Sequence, residues 1–455
     1  MSSRLLVWWP VVLKNLLAFL GAVFLNLSSQ AYGADGLKAG FYAEDVTPEI
    51  GVPLAGFGGG ARRLIPWDVF NKHKYATFLT PSNGKLDPIR SKVMVLERQG
   101  KRLFFVSLDI VGADPKIRED LIAELQDVGL NAEHFFLSAT HTHSGPGAIF
   151  KNVVWEFLAA DRFNRRVYER FIDQVAWSIR MAVDRLEDAQ LLASSFEANG
   201  LQRNRRDKNG PIDRDANLLW VKSDAGVWLG AVTNLALHGT AYGMKNLAFS
   251  ADVLGAVERT LESRLAELNT FQGLDTHRPV VLYINGAEGD IKPAKEMNEL
   301  AQQFGDLAIA SLDASRRMAP EWKIKSVDVR LRRASLNLKG CIQQKTINKL
   351  ILSSFRPSLG GLLHRDTRVW SLSLGDMLFM TWPGEPTTQL GLELKRLARE
   401  AGFVQSWVMG LTNDHMAYFT TREEYSQPSY ESCAVLHGED AGERLISAHA
   451  GLLGR

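Results

Sequence analysis

The segment HFFLSATHTHSGPG, residues 134–147, runs from an apolar stretch directly into two histidines and then a glycine–proline break. Residues 134–140 read as a strand, and the break after His143 ends the regular structure. In an extended chain, residues two apart point to the same face, so His141 and His143 would look into one pocket. Zinc takes three or four imidazole or carboxylate ligands and, in a catalytic site, keeps a position for water. The spacing suits that chemistry. It equally suits a catalytic base beside its neighbour, or two hydrogen-bonded structural histidines near a turn.

Outward from this segment, short β-like runs alternate with amphipathic helical patterns. KVMVLER (92–98) and RLFFVSLD (102–109) precede it as strands. Asp114-Pro115 then opens a helix, with Asp114 as N-cap and proline at the first helical position. Phe163, Val167, Phe171, Val175 and Ile179, four apart, predict a helix over about 161–186. Further strands are expected at 190–196, 217–222, 229–237, 280–285 and 405–410. Further helices are expected near 252–268, 294–316 and 387–401, with a last one from about Gly442. RVWSLSLGDMLFMTW (368–382) reads as a hairpin turning at Gly375-Asp376. No linker and no internal repeat stands out. The expectation is α/β: a single large catalytic domain of mixed β-sheets with flanking helices.

Composition narrows the function classes. The 455 residues are 45% hydrophobic and 23% charged, with a formal net charge of +2. That is globular composition, and nothing in it points to a nucleic-acid partner. The start has the grammar of a secretory signal. Arg4 and Lys14 come first, then the apolar run Leu16 to Leu27, then Ala31-Tyr32-Gly33. A signal over 1–33 and a mature domain over 34–455 follow, with export to the periplasm or medium. An uncleaved anchor is the competing reading, against which Pro10 and Lys14 interrupt the apolar stretch. Export would put Cys341 and Cys433 in an oxidising space, where they either form one disulfide or stay as two buried thiols. Gly56, Gly58, Gly59 and Gly60 lack the context of a phosphate loop and read as a loop crossing close to other backbone.

Three apolar runs end in chemically capable clusters: HFFLSAT in His141 and His143, LGAVTNLAL in His238, and LFMTW in Pro383-Gly384-Glu385. Active-site residues often sit just beyond the strands of such a sheet. SATHTHSGPG resembles the signature of the neutral ceramidase family of zinc amidases. VSLDI (106–110), NRR (204–206), LALHGTAYG (235–243), the SAD of Ser250-Ala251-Asp252, PGEPTT (383–388) and GLTNDHMAYFTTREEYSQPSYE (410–431) resemble further blocks of that family, in its order. Together they span about residues 38 to 437.

The resemblance implies a neutral-ceramidase-like fold and a zinc cofactor held by His141, His238, Glu385 and Tyr418. It implies His143, Arg205 and Tyr430 as the groups that act on the substrate, a small-molecule or lipid N-acyl compound, with membrane contact through that substrate. Zinc would activate a water for attack on the amide. Two departures stand out. His415 occupies the first tyrosine position of the family's N-x-Y-x-x-Y. In NGAEGDIKPAK (285–295), Lys292 stands where the family's ceramidases carry a required serine. A lysine is longer and cationic, so either it attracts an anionic group of a changed substrate or its ammonium points to solvent. The family's ceramidases also continue into a C-terminal β-sandwich, and this chain is expected to lack what that domain contributes. The leading expectation is a zinc-dependent hydrolase of an N-acyl amide. The rivals are a non-catalytic binding protein on the same scaffold and a zinc hydrolase of esters or lactones.

Overall fold

The computed structural model describes residues 36–70, 72–274, 278–337, 341 and 358–455. The expected leader, residues 1–33, lies outside them. Among the described residues, strands and helices follow one order three times. The first pass runs β1 (Leu37–Asp45), β2 (Arg90–Arg98), β3 (Lys101–Leu108), α1 (Pro115–Glu124), β4 (Phe135–Ala139) and α2 (Arg165–Asp184). The second runs β5 (Glu187–Glu197), β6 (Asp215–Ser223), β7 (Trp228–Leu235), α3 (Asp252–Phe271), β8 (Val280–Asn285) and α4 (Met297–Ala310). The third runs β9 (Trp322–Arg330), β10 (Asp366–Leu374), β11 (Met377–Thr381), α5 (Thr388–Glu400), β12 (Gln405–Met409) and α6 (Ala441–Leu452).

In each unit the first three strands form an antiparallel meander. A helical crossover then returns the fourth strand parallel to the third. β1 pairs with β5, which joins the first two units into one continuous sheet in the order β8-β7-β6-β5-β1-β2-β3-β4. The third unit forms its own sheet, β9-β10-β11-β12. The expected mixed α/β architecture is present. The expectation of no internal repeat is corrected: the repeat lies in the order of elements.

Both faces of the inner strands, such as β3, β4, β8 and β11, are covered, which is why they read as unbroken apolar runs. Phe104, Phe135 and Leu137 face outward onto α1 and α2, where Ile117, Leu121, Phe171, Val175 and Ile179 complete one core. Their neighbours Phe105 and Phe136 face inward. There they meet Leu219 and Leu282 of the second unit and Leu372, Phe379 and Trp407 of the third. The outer faces of the second and third units pack on α3 with α4 and on α5 with α6. The three units therefore share one central core.

Local signals set the boundaries. Asp114 caps α1 by accepting from the Lys116 amide, with Pro115 in the first turn. Gln99 and Gly100, both at positive φ, make the tight turn between β2 and β3. A buried charge cluster pins the first unit to the second: Lys92 Nζ on β2 lies 3.0 Å from Asp109 and 2.5 Å from Glu258 of α3. Of the two readings for the cysteines, Cys341 and Cys433 are joined in a disulfide, with their Cα atoms 4.4 Å apart.

Candidate active site

The carboxyl ends of strands from all three units point to one place. His141 follows β4, His238 follows β7, Glu288 follows β8 and Glu385 follows β11. Beyond β12 the chain returns as Tyr418–Phe419, which pairs with Glu385–Pro386 and sets Tyr418 directly opposite Glu385. The strand ends thus assemble a site that no single segment contains.

His141 and His143 do meet in one pocket, with their Nε2 atoms 3.2 Å apart. They do not get there as an extended strand. His141 sits at φ 71, in the left-handed region that a non-glycine residue rarely adopts. That turn swings its ring toward His238, and it is the kind of local strain that clusters at functional sites.

Hydrogen bonds fix the orientation of both facing rings. His141 Nδ1 is 2.6 Å from the Val111 carbonyl, and His238 Nδ1 is 3.0 Å from the Glu288 carbonyl. A carbonyl only accepts, so each Nδ1 carries the hydrogen. In the neutral rings each Nε2 lone pair then faces inward. These two Nε2 atoms are 3.2 Å apart. Glu385 Oε2 lies 3.2 Å from His141 Nε2 and 3.4 Å from His238 Nε2. Tyr418 Oη lies 3.3 Å from His238 Nε2.

These separations test whether the residues suit a metal. Ligands about 2.0–2.1 Å from a tetrahedral zinc sit about 3.3 Å from one another. Four ligand-to-ligand edges among His141, His238, Glu385 and Tyr418 match that value. Imidazole nitrogen, carboxylate and phenol oxygen are also donor types that zinc accepts. The residues therefore fit a zinc-sized ion. His143 Nε2 is as close to His141 as His238 is, so distance alone does not separate its role from that of a ligand.

The surroundings tune these groups. Burial would raise the Glu385 carboxyl, but His141, His415 and His238 outweigh it and hold the group well below the usual carboxylate range. Burial, with His141 next, pushes His143 well below the ordinary imidazole value. Burial, with Arg205 next, does the same to His238. Burial and then Glu385 push the Tyr418 hydroxyl well up. Burial disfavours the charged Arg205, yet Tyr418, Glu431 and Glu385 hold its guanidinium firmly protonated.

The site forms the floor of a cavity of about 1090 Å³, with His141, His143, Glu385, Tyr418 and Tyr430 among its lining. Phe150, Trp155, Leu158, Leu336 and Leu436 make apolar walls, and Lys116, Arg118, Asp328 and Arg330 add charge. Gly56 shapes the floor: a Cβ there would come within 2.5 Å of the His143 ring. The glycine-rich loop is thus a close-approach loop, as its sequence suggested.

One match decides the family. The model of the neutral/alkaline non-lysosomal ceramidase family, N-terminal part, matches residues 71–303, about half the chain. The chain belongs to this family. Neutral ceramidase 1 of Arabidopsis thaliana is 26% identical over 210 residues, covering 42% of this chain and 27% of that protein. The chain thus spans about a quarter of the length of this plant relative. Neutral ceramidase of Mycobacterium tuberculosis is 21% identical over 444 residues, 77% of this chain and 69% of that one. The crystal structure of neutral ceramidase from Pseudomonas aeruginosa superposes with a TM-score of 0.76 at 18% identity, over 92% of this chain and 75% of that chain. At that identity the likeness establishes the fold.

Within the ceramidase fold, the structure sorts the sequence blocks into site and scaffold. Arg205 is tethered: its Nη2 donates to Tyr418 Oη at 3.0 Å and to the Gly289 carbonyl, while Nε donates to Glu431 at 2.9 Å. Tyr430 faces the cavity, with its ring edge-on to Tyr418 at 5.5 Å. Asp252 of the SAD block accepts from the Ala241 and Tyr242 amides and anchors the loop after His238. Asp290 accepts from Thr388, and Thr387 donates to Glu424, so the GD, PGEPTT and EEY blocks lock together.

Lys292 is not among the residues that line the cavity. Its backbone pairs with exposed Arg203 in a short antiparallel bridge, and buried Ile291 opposite Asn204 takes the inner side. His415, the other departure, places Nε2 3.4 Å from Glu385 Oε1 and so can orient that carboxylate. Sequence reasoning missed Glu288. It sits in the NGAEGD stretch, where attention went to Lys292, and its only signal was a carboxylate three residues beyond an apolar strand.

Proposed function

We propose that this protein is a zinc-dependent hydrolase of the amide bond of an N-acyl substrate, ceramide-like or another acylated amine. The observation that carries the reading is the set of donors spaced as a tetrahedral metal site on the floor of a cavity large enough for an acyl chain. His141, His238, Glu385 and Tyr418 would hold the ion. Bound there, zinc supplies a water that is nucleophilic near neutral pH and polarises the scissile carbonyl.

The chain's own groups do the rest. His143 faces the same space, positioned to take a proton from the attacking water and return it to the leaving amine. Tyr430 presents a hydroxyl to the cavity, where it can donate to the oxyanion that develops. Arg205 acts through Tyr418: its positive charge on the phenol oxygen favours the ionised form that a cation needs. The apolar walls would take the acyl chain, and lipid in a membrane is the matching source. Export goes with this reading, supported by the leader-like start and by the disulfide.

The test is metal analysis of the purified protein together with hydrolysis of a panel of N-acyl amides and the matching esters, in wild type and His141→Ala. Stoichiometric zinc and amide turnover are expected, with turnover falling at least a hundredfold in the variant. Protein free of metal and hydrolysis indifferent to the substitution would sink the reading. Turnover of esters alone would favour the ester-cleaving rival, because the attack geometry is shared.

A further inference from the structure

Glu288 is fully buried, and neither of its carboxylate oxygens has a hydrogen-bond partner. Burial, with Glu385 next, pushes this carboxyl well above its usual range, so its ionised form calls for a cation beside it. Beside it lies a metal-ligating cluster. One of its carboxylate oxygens, a His141 ring nitrogen and a Glu385 oxygen all lie within 4.8 Å of one another. The backbone closes the opposite side, since a Cβ at Gly410 would come within 2.9 Å of Glu288 Oε2.

Topology points the same way. Glu288 lies three residues beyond β8, as His238 lies three beyond β7, and both strands belong to the second unit. The Glu288 carbonyl also accepts from His238 Nδ1. This one residue therefore orients a histidine of the site with its backbone and brings an unpaired carboxylate to it with its side chain.

We propose that the Glu288 carboxylate is a further ligand of the metal centre, so that two glutamates and two histidines, with Tyr418, surround the ion. The inference rests on the metal reading above and adds to it. Five protein donors exceed the tetrahedral set and, with one more anionic oxygen, shift the site toward higher coordination and harder ions.

The test uses the full chain as wild type, Glu288→Gln and Glu288→Ala, each checked for native circular dichroism and melting. Zinc affinity is read by competition with a chromophoric chelator, and coordination number from the visible absorption of the cobalt-loaded protein. The expected result is a weak cobalt spectrum of high coordination number in wild type. Both variants should give a more intense spectrum of lower coordination number and at least tenfold weaker zinc binding. Unchanged affinity and an unchanged spectrum in both variants would overturn the proposal and leave the metal reading standing. A wild-type protein that binds neither ion would overturn both.

Discussion

At the scale of single residues, the separation of His141 from His143 rests on what surrounds each. His141 is held by the Val111 carbonyl, whereas His143 Nδ1 has no hydrogen-bond partner and its ring packs on Phe57 at 4.6 Å. Gly56 lies directly beneath that ring at φ 102, so even one methyl group would push it away. The Gly56→Ala variant should lose turnover by about a hundredfold, the size of effect a 1 Å misplacement of a reacting group produces, while keeping wild-type zinc affinity. Steady-state kinetics beside a chelator titration separate the two, and a matching loss of metal would make His143 a ligand instead. The histidines, Glu385 and Tyr418 were legible because each lies in a block with a family counterpart. Glu288 was not, because an unpaired buried carboxylate becomes visible only when its neighbours are known. Nor was Lys292's position, since a cation on a short strand can face either way until register is fixed.

At the scale of elements, periodicity carried most of the fold. The helices over 165–184 and 388–400 and the hairpin at Gly375 sit close to where their patterns put them. β9 was missed because its alternating half-exposed residues, WKIKSVDVR, mark a sheet edge and carry little apolar signal. Helix α6 shows how an element is tied down by a buried titratable group. His449 donates from Nε2 to the Thr381 carbonyl of β11 at 2.9 Å and meets Ser371 of β10 at 3.2 Å. Burial, only partly offset by the bond to Thr381, pushes its pKa down to about 4. The ring is therefore neutral when folded and takes up a proton more readily when unfolded, where its value is about 6.5. Stability is then complete above about pH 6.5 and falls as pH drops toward 4, by about 3 kcal/mol from this group. Urea unfolding from pH 7 to pH 4 should show a shallower loss in His449→Gln, whose amide can keep both contacts. Parallel pH curves for the two proteins would refute this.

At the scale of the whole molecule, three units put their strand ends around one centre, so the site sits where all three contribute. The repetition escaped sequence reading because what recurs is an order of elements, with different residues in each copy. The surface beside the cavity mouth is unusual for a protein in water. Ile65 and Phe70 are 81% and 82% exposed, with Trp67, Val69, Phe157 and Leu158 also exposed. Trp67, Phe78 and Phe157 pack edge-to-face, so the patch is an ordered ridge. Leu158, next in sequence to Phe157 of this ridge, also lines the cavity, which places the ridge beside the opening. A contiguous exposed patch of this kind marks an interaction site, and aromatic residues favour the bilayer interface. A substrate drawn from a lipid layer could then enter the cavity without crossing water. Replacing Trp67 and Phe70 together by serine removes apolar contact worth about 1.5–3 kcal/mol per fully buried side chain. Retention on phosphatidylcholine vesicles should fall at least tenfold, along with turnover of an N-acyl lipid held in them. Turnover of a short, water-soluble N-acyl amide should stay at the wild-type rate. Equal vesicle retention by both proteins would remove the membrane from the account, and equal losses on both substrates would place the two residues in the architecture of the site itself.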